Sequence, residues 1–218
     1  EDEEITAVVD FSDFSEKEYI LMGTLKGVVK KVATKEFVNA KTRGIIGISL
    51  DNGDKLISSI LTQGSDEVML ISRKGQALRI HESQVREMGR TARGVRGISL
   101  HESDELAAML RVNPNESMLI ITQNGFGKRV SYDLFNVHSR GTKGQTIYSP
   151  DEFSGEVVKG VSVQEEDEVM VITSTGKTIK LNVSSVRQMG KGARGVRIVN
   201  IEPPDFVIGI DKIVQEQE

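Results

Sequence analysis

Arg43, Arg93, Lys143 and Arg194 each stand directly before a glycine, and those glycines (Gly44, Gly94, Gly144 and Gly195) lie 50, 50 and 51 residues apart. Arg96 and Arg197 follow the second and fourth of them by two positions. A cation beside a residue without a Cβ suits one task well. The backbone can come close to a partner while the flanking charge meets a phosphate. Glycine also serves a tight turn with positive φ, and the two roles are compatible. A single arginine of this kind is an ordinary solvated loop residue. Recurrence at a fixed period is what points further.

The surrounding charge has the same period. Windows 23–44, 72–97, 122–144 and 173–197 hold 23 Lys or Arg against 4 Asp or Glu, while the other 122 residues hold 5 against 28. A net charge of −4 thus conceals a basic belt on an acidic remainder. Regularly spaced cations match the regularly spaced phosphates of a duplex without reading bases. Bending 20–30 base pairs by 40–90° costs roughly 1–6 kcal/mol, so each unit must contribute contacts that offset its share. Phe126 and Tyr132 are the main aromatic candidates in the windows, too few for a single-strand stacking platform.

Other chemistry finds little support. His81, His101 and His138 are scattered and do not fall at metal-ligand spacing. The absence of cysteine removes disulfides and thiolate zinc sites and suits a reducing compartment. The acidic run Glu165-Glu166-Asp167-Glu168, like Ser65-Asp66-Glu67, reads as a solvated turn, and Ser184-Ser185 has no nearby histidine. Gly125-Phe126-Gly127 and Gly190-Lys191-Gly192 are too short for a phosphate-loop motif. No apolar run approaches 18 residues, so no membrane span is expected. The opening EDEE carries neither an initiator Met nor a signal peptide and reads as part of a longer protein.

The elements that position the cations come from the same repeat. ILMGTLKGVV, VMLISRKGQA, MLIITQNGFG and VMVITSTGKT each combine an apolar stretch, a short polar stretch and a glycine (Gly27, Gly75, Gly125, Gly176). An apolar pair leads each unit at Ala7-Val8, Ser59-Ile60, Met109-Leu110 and Gly160-Val161, and recurs at Gly209-Ile210. The chain therefore divides into repeats 5–55, 56–105, 106–156 and 157–205 with a partial 206–218, four repeats plus the first strand of a fifth. Within one repeat, LISSIL and VMLIS are too short for helices, QALRI alternates as a half-buried strand, RKGQ makes a hairpin turn, and VRGISL closes as a fourth strand. Four strands in about 50 residues predict an all-β, propeller-like fold. The continuous apolar strands should lie between blades, covered on both faces.

These strings also carry a resemblance. SSVRQMGKGARGVR, SQVREMGRTARGVRGISL, TQNGFGKRV, SRGTKG and DEVMLISRKGQALRI closely resemble the C-terminal domain of bacterial DNA gyrase A, one of the two polypeptides of a type IIA topoisomerase, over essentially the whole chain. The resemblance implies a β-pinwheel, a propeller relative whose blades exchange a strand, with duplex DNA bent and wrapped around a basic perimeter. It implies a non-catalytic, monomeric domain with no cofactor of its own. ATP and Mg act elsewhere in a cytoplasmic A2B2 holoenzyme, where the rest of gyrase A and the ATPase polypeptide, gyrase B, introduce negative supercoils. The family's DNA contacts carry over to Arg43, Arg93, Arg96, Lys143, Arg194 and Arg197, then to Arg73, Lys74, Lys128, Arg129, Arg140 and Lys191. The family's QRRGGKG box is absent, and its nearest strings are Gln188-Met189-Gly190-Lys191-Gly192 and Arg93-Gly94-Val95-Arg96-Gly97. Bending, rather than full wrapping, is the expectation for this piece. The rival readings are the topoisomerase IV domain, a protein-interaction propeller without DNA affinity and, least supported, a propeller enzyme.

Overall fold

The computed structural model describes residues 5–9, 17–40 and 44–214. Each of its four small antiparallel sheets is built on a hairpin. The hairpins are β1 (Tyr19–Thr24) with β2 (Val28–Ala33), β4 (Glu67–Ser72) with β5 (Gln76–His81), β8 (Ser117–Thr122) with β9 (Phe126–Ser131), and β12 (Glu168–Thr173) with β13 (Thr178–Asn182). An inner strand joins the first member of each hairpin: β3 (Leu56–Thr62), β7 (Leu106–Arg111), β11 (Val157–Val163) and β15 (Val207–Lys212). Residues of all four inner strands line a central cavity of about 1500 Å³.

The fourth strand of a blade comes from the next repeat. Two-residue strands β6 (Val95–Arg96), β10 (Gln145–Thr146) and β14 (Val196–Arg197) pair with β2, β5 and β9 on the outer edges of sheets one, two and three. These are the segments that follow the Arg-Gly or Lys-Gly anchors. The segment VRGISL contributes only Val95–Arg96 to a ladder, because the amides of Gly97 and Ile98 both donate to the Gly27 carbonyl, at 2.8 and 3.3 Å, and turn the chain. Among the described residues the fourth sheet has three strands.

The apolar strands are covered on both faces where a sheet has two neighbours. In β4, Val68 and Leu70 pack toward the first sheet, Met69 and Ile71 toward the third, and all four are inaccessible. Period-2 geometry sends alternate side chains to opposite faces, so a continuous apolar run is what a sandwiched strand requires. In β12 the alternation shows instead: Val169 and Val171 are buried against the third sheet, while Met170 and Ile172 are exposed.

The apolar pair at Gly209-Ile210 lies in β15, which closes the fourth sheet by pairing with the hairpin before it. Ala7-Val8 lies in no strand, and Val8 is exposed. The inner strand belongs to the preceding hairpin, and no hairpin precedes residue 7 among the described residues. No helix among them is long and apolar enough to cross a membrane.

Candidate nucleic-acid interface

The second, third and fourth anchor loops are each set on the perimeter by the hairpin of the preceding repeat. The carbonyls of Gly27, Gly75 and Gly125 receive two amides each, from Gly97 and Ile98, from Ile147 and Tyr148, and from Ile198 and Val199. At Gly75 φ is +80°, and a Cβ would collide with the Tyr148 carbonyl, so glycine is required on both counts. A second tether lies farther along the edge, where the amides of Met88, His138 and Met189 donate to the carbonyls of Lys31, Arg79 and Arg129 at 2.9, 2.8 and 2.8 Å.

Successive loops are also bonded to one another. Ser49 N donates to Ala92 O at 3.2 Å and Ser99 N to Thr142 O at 2.9 Å; Lys191 Nζ donates to Gln145 Oε1 at 2.8 Å. The four anchors therefore follow each other along one continuous edge.

Five of the six first-choice cations are described, and all five are exposed: Arg93, Arg96, Lys143, Arg194 and Arg197. Arg43 lies outside the described residues. Arg93 pairs with Asp51 at 2.9 Å, and Arg194 with Asp151. The partners are equivalent, since each carboxylate sits just after the preceding anchor. Arg194 and Ser154 hold the Asp151 carboxyl well below the usual carboxylate range, and Asp151 raises the guanidinium of Arg194 in turn. Both arginines are about three-quarters exposed or more, so these pairs are screened and readily exchanged for a phosphate. Arg197 lies over the rings of Phe126 and Phe153, 4.5 and 5.3 Å from their centroids, which fixes its guanidinium at the rim. In the unit that precedes Lys143 the position of Asp51 and Asp151 is taken by His101.

The second-choice cations divide. Arg140 and Lys191 are exposed and lace the loops together: Arg140 Nη1 donates to Arg96 O at 3.1 Å and Nε to Gln84 O at 2.9 Å. Lys74 is half-buried and donates to Ser103 Oγ at 2.7 Å. Arg73 bridges Glu105 and Glu156 at 3.0 and 3.1 Å, and buried Arg129 reaches Glu165 at 3.4 Å. The ammonium of Lys128 is turned inward and fully buried, donating to the carbonyls of Gly190, Lys191 and Ala193 at 3.3, 2.7 and 2.8 Å. Burial lowers its pKa to about 8.

Lys30 occupies the equivalent position of β2. It donates to Gly47 O at 2.7 Å and to Arg90 O, and burial together with Arg90 lowers its pKa to about 8. In β5 the same position is Leu78, and there Arg140 secures the loop instead. Tyr132 is also buried, its hydroxyl against Ser162, so it offers no stacking face. Two exposed arginines within the basic windows escaped the sequence reasoning, Arg86 and Arg187. Their signal was the string Val-Arg-x-Met-Gly, which recurs at 85–89 and 186–190.

Comparison with known proteins places this geometry. The profile of a family described as DNA gyrase C-terminal domain, beta-propeller, matches residues 18–63, 66–113, 116–163 and 167–213. Each matched segment holds one hairpin and the inner strand that completes its sheet. The chain is 54% identical over 214 residues to the DNA gyrase A polypeptide of Treponema pallidum (strain Nichols), covering 98% of this chain and 26% of that protein. It is 37% identical over 215 residues to the DNA gyrase A polypeptide of Escherichia coli (strain K12), covering 99% and 25%. The chain thus spans about a quarter of the length of these curated relatives. A solved DNA gyrase A C-terminal domain superposes with a TM-score of 0.85 at 28% identity, covering 93% of this chain and 68% of that one. The C-terminal domain of DNA topoisomerase IV gives 0.86 at 27% identity, covering 93% and 64%.

Proposed function

The chain belongs to the DNA gyrase C-terminal domain family, and from that membership we propose that it binds duplex DNA along its anchor edge and bends it, without sequence preference. The observation that carries the reading is the serial edge itself. Anchor loops at a 50-residue period are bonded one to the next, and the second, third and fourth present exposed Arg or Lys to solvent. The contacts are Arg93, Arg96, Lys143, Arg194 and Arg197, with Arg43 at the first anchor and Arg86, Arg140, Arg187 and Lys191 beside them. Lys74 extends the belt toward the hairpin turns. Arg73, Lys128 and Arg129 position the loops rather than touch phosphate, because their charges are engaged within the blades.

Cations at fixed spacing meet phosphates at fixed spacing. Each added contact draws the duplex farther around the curved edge, offsetting an elastic cost of roughly 1–6 kcal/mol for a bend of 40–90°. In this reading the domain performs no chemistry and has no cofactor. It serves a longer gyrase A polypeptide, which with the ATPase polypeptide, gyrase B, forms an A2B2 cytoplasmic enzyme that supercoils DNA at the expense of ATP. The topoisomerase IV domain remains a second reading on the strength of its equal superposition, while the similarity to two gyrase A polypeptides over nearly all of this chain favours gyrase.

The test is affinity for random-sequence linear duplex across a salt series, with bending read by end-to-end fluorescence transfer. A log–log slope for about 4–8 released counterions, with the ends drawn together, is the expected result. A flat slope without bending at low salt overturns the reading in favour of a protein-interaction propeller.

A further inference from the structure

Two asparagines in the chain stand directly before a glycine, Asn52 and Asn124. That pair of residues has a chemistry of its own. Glycine has no side chain to shield its amide, so the amide nitrogen can reach the carboxamide carbon of the asparagine before it. We propose that Asn52 is a site of spontaneous deamidation, assisted by Lys26, through which the anchor edge gains a carboxylate beside Arg93.

What the reaction requires is met at Asn52. Residues Asp51, Asn52 and Gly53 are exposed in a turn that the Asp54 amide closes on the Asp51 carbonyl at 3.0 Å. Among the described residues neither the Gly53 amide nor the Asn52 carboxamide has a hydrogen-bond partner. A Cβ on Gly53 would meet only the end of the Lys26 side chain, at 3.7 Å, so the turn has room to flex. This exposure belongs to the position. His101, Glu102 and Ser103, which hold it in the next repeat, are exposed although blades stand on both sides of them.

The same requirements are denied at Asn124, in the turn between β8 and β9. Its Nδ2 donates to the carbonyls of Glu152 and Phe153 at 3.4 and 3.0 Å, and the Gly125 amide donates to the Thr122 carbonyl at 3.0 Å. A Cβ on Gly125 would strike the Val199 carbonyl, so the turn is packed as well as bonded.

Lys26 adds an activating contact. Its Nζ donates at 2.7 Å to the Asn52 carbonyl, the oxygen of the same peptide group whose nitrogen must attack. A charge-assisted hydrogen bond there draws electron density from the peptide and makes the Gly53 N–H more acidic. The Gly53 nitrogen bonds to Cγ of Asn52, the Cγ–Nδ2 bond breaks, and the proton of that nitrogen leaves on ammonia. Water then opens the cyclic imide, at Cγ to give aspartate or at the main-chain carbonyl to give isoaspartate. Nothing is oxidised or reduced, and water is the one co-reactant.

Either product carries a negative charge next to Asp51, whose carboxylate already pairs with Arg93 at 2.9 Å. On the reading of this edge as the duplex interface, ageing therefore weakens duplex binding at the second anchor.

The whole chain is held in heavy-oxygen water at slightly alkaline pH over days, digested and mapped by mass spectrometry, with isoaspartate counted by enzymatic methylation. Heavy oxygen should enter at Asn52 and not at Asn124, and severalfold more slowly at Asn52 in Lys26→Met, whose fold circular dichroism checks. An Asn52 that stays intact, or an Asn124 converted as fast, overturns the proposal, and an unchanged rate in Lys26→Met removes Lys26 from it. Filter binding on random-sequence duplex at low salt then compares Asn52→Asp with the parent, and a severalfold lower affinity is expected. Equal affinity overturns the effect on the edge. A parent that binds no duplex overturns the DNA reading instead and leaves the chemistry at Asn52 standing.

Discussion

The Nζ of Lys128 lies 2.8 Å from the carbonyl oxygen of Ala193, the residue before Arg194. A buried ammonium with three N–H donors satisfies the three carbonyls of Gly190, Lys191 and Ala193, and so holds the loop that presents Arg194. Lys128→Met should lower duplex affinity severalfold although no exposed charge is lost, and Lys128→Arg should not restore it, because the longer planar fork does not fit a site shaped for a point charge. Titration gives a second readout. The folded pKa is about 8, below the ordinary 10.5, so between those values the unfolded chain binds more protons and stability rises with pH. Over the same window duplex affinity should fall, since the neutral amine has two donors for three acceptors. A shallower fall of affinity with pH in Lys128→Met than in the parent is the expected contrast, the remainder coming from Lys30, which holds the Arg90 carbonyl in the same way. Lys30 carries the same lowered value and adds to the stability slope.

Arg93 and Arg194 should each give a uniform loss when reversed to Glu. Both are exposed, so folding should be untouched, and binding should weaken equally on all duplex sequences. The salt slope should fall by about 0.9 for each phosphate contact removed. Asp51→Asn should act in the opposite direction, because it frees the Arg93 guanidinium from a competing carboxylate. Filter binding on two unrelated duplexes settles both. A sequence-dependent loss would mean that bases, not phosphates, are being contacted.

Gly75 and Gly176 form a natural control for each other. Their φ values are +80° and +81°, so an added Cβ strains both by roughly 1–2 kcal/mol. Only at Gly75 does it also strike the chain that follows the donated strand, at the Tyr148 carbonyl. Gly75→Ala should therefore lower the denaturation midpoint well beyond Gly176→Ala. Equal shifts would show that the strand contributes little to holding the blades together.

How much of this could be read from the sequence depended on whether a position's environment leaves a periodic trace. The hairpins did, because VMLIS and MLIIT must be apolar throughout to serve two junctions at once and the turn between strands needs a glycine. Strand exchange did not. Val95–Arg96 and Val196–Arg197 are two residues long, and neither alternation nor composition marks so short a strand. Lys128 misled for a different reason. In GFGKRV it reads as one more belt cation, and only the alignment of Lys30, Leu78 and Lys128 hints at a buried position. The exposed anchor cations were legible because their spacing is the repeat itself. The carboxylates that partner them were not, since Asp51 and Asp151 belong to the preceding repeat.

An inner junction of the array and the outer face of its fourth sheet predict opposite responses to one substitution. Met69 and Met170 are equivalent positions of β4 and β12, the first inaccessible between the second and third sheets, the second 37% exposed. A carboxylate at Met69 would be buried without a partner, a change that costs several kcal/mol and rivals the net stability of a domain this size. Met69→Asp should therefore unfold the array at room temperature. Met170→Asp keeps its charge in water and should remain folded, with a midpoint close to the parent's in dilute solution. Chemical denaturation followed by circular dichroism reads both. An unfolded Met170→Asp chain would mean that the fourth sheet is covered by something this structure does not show.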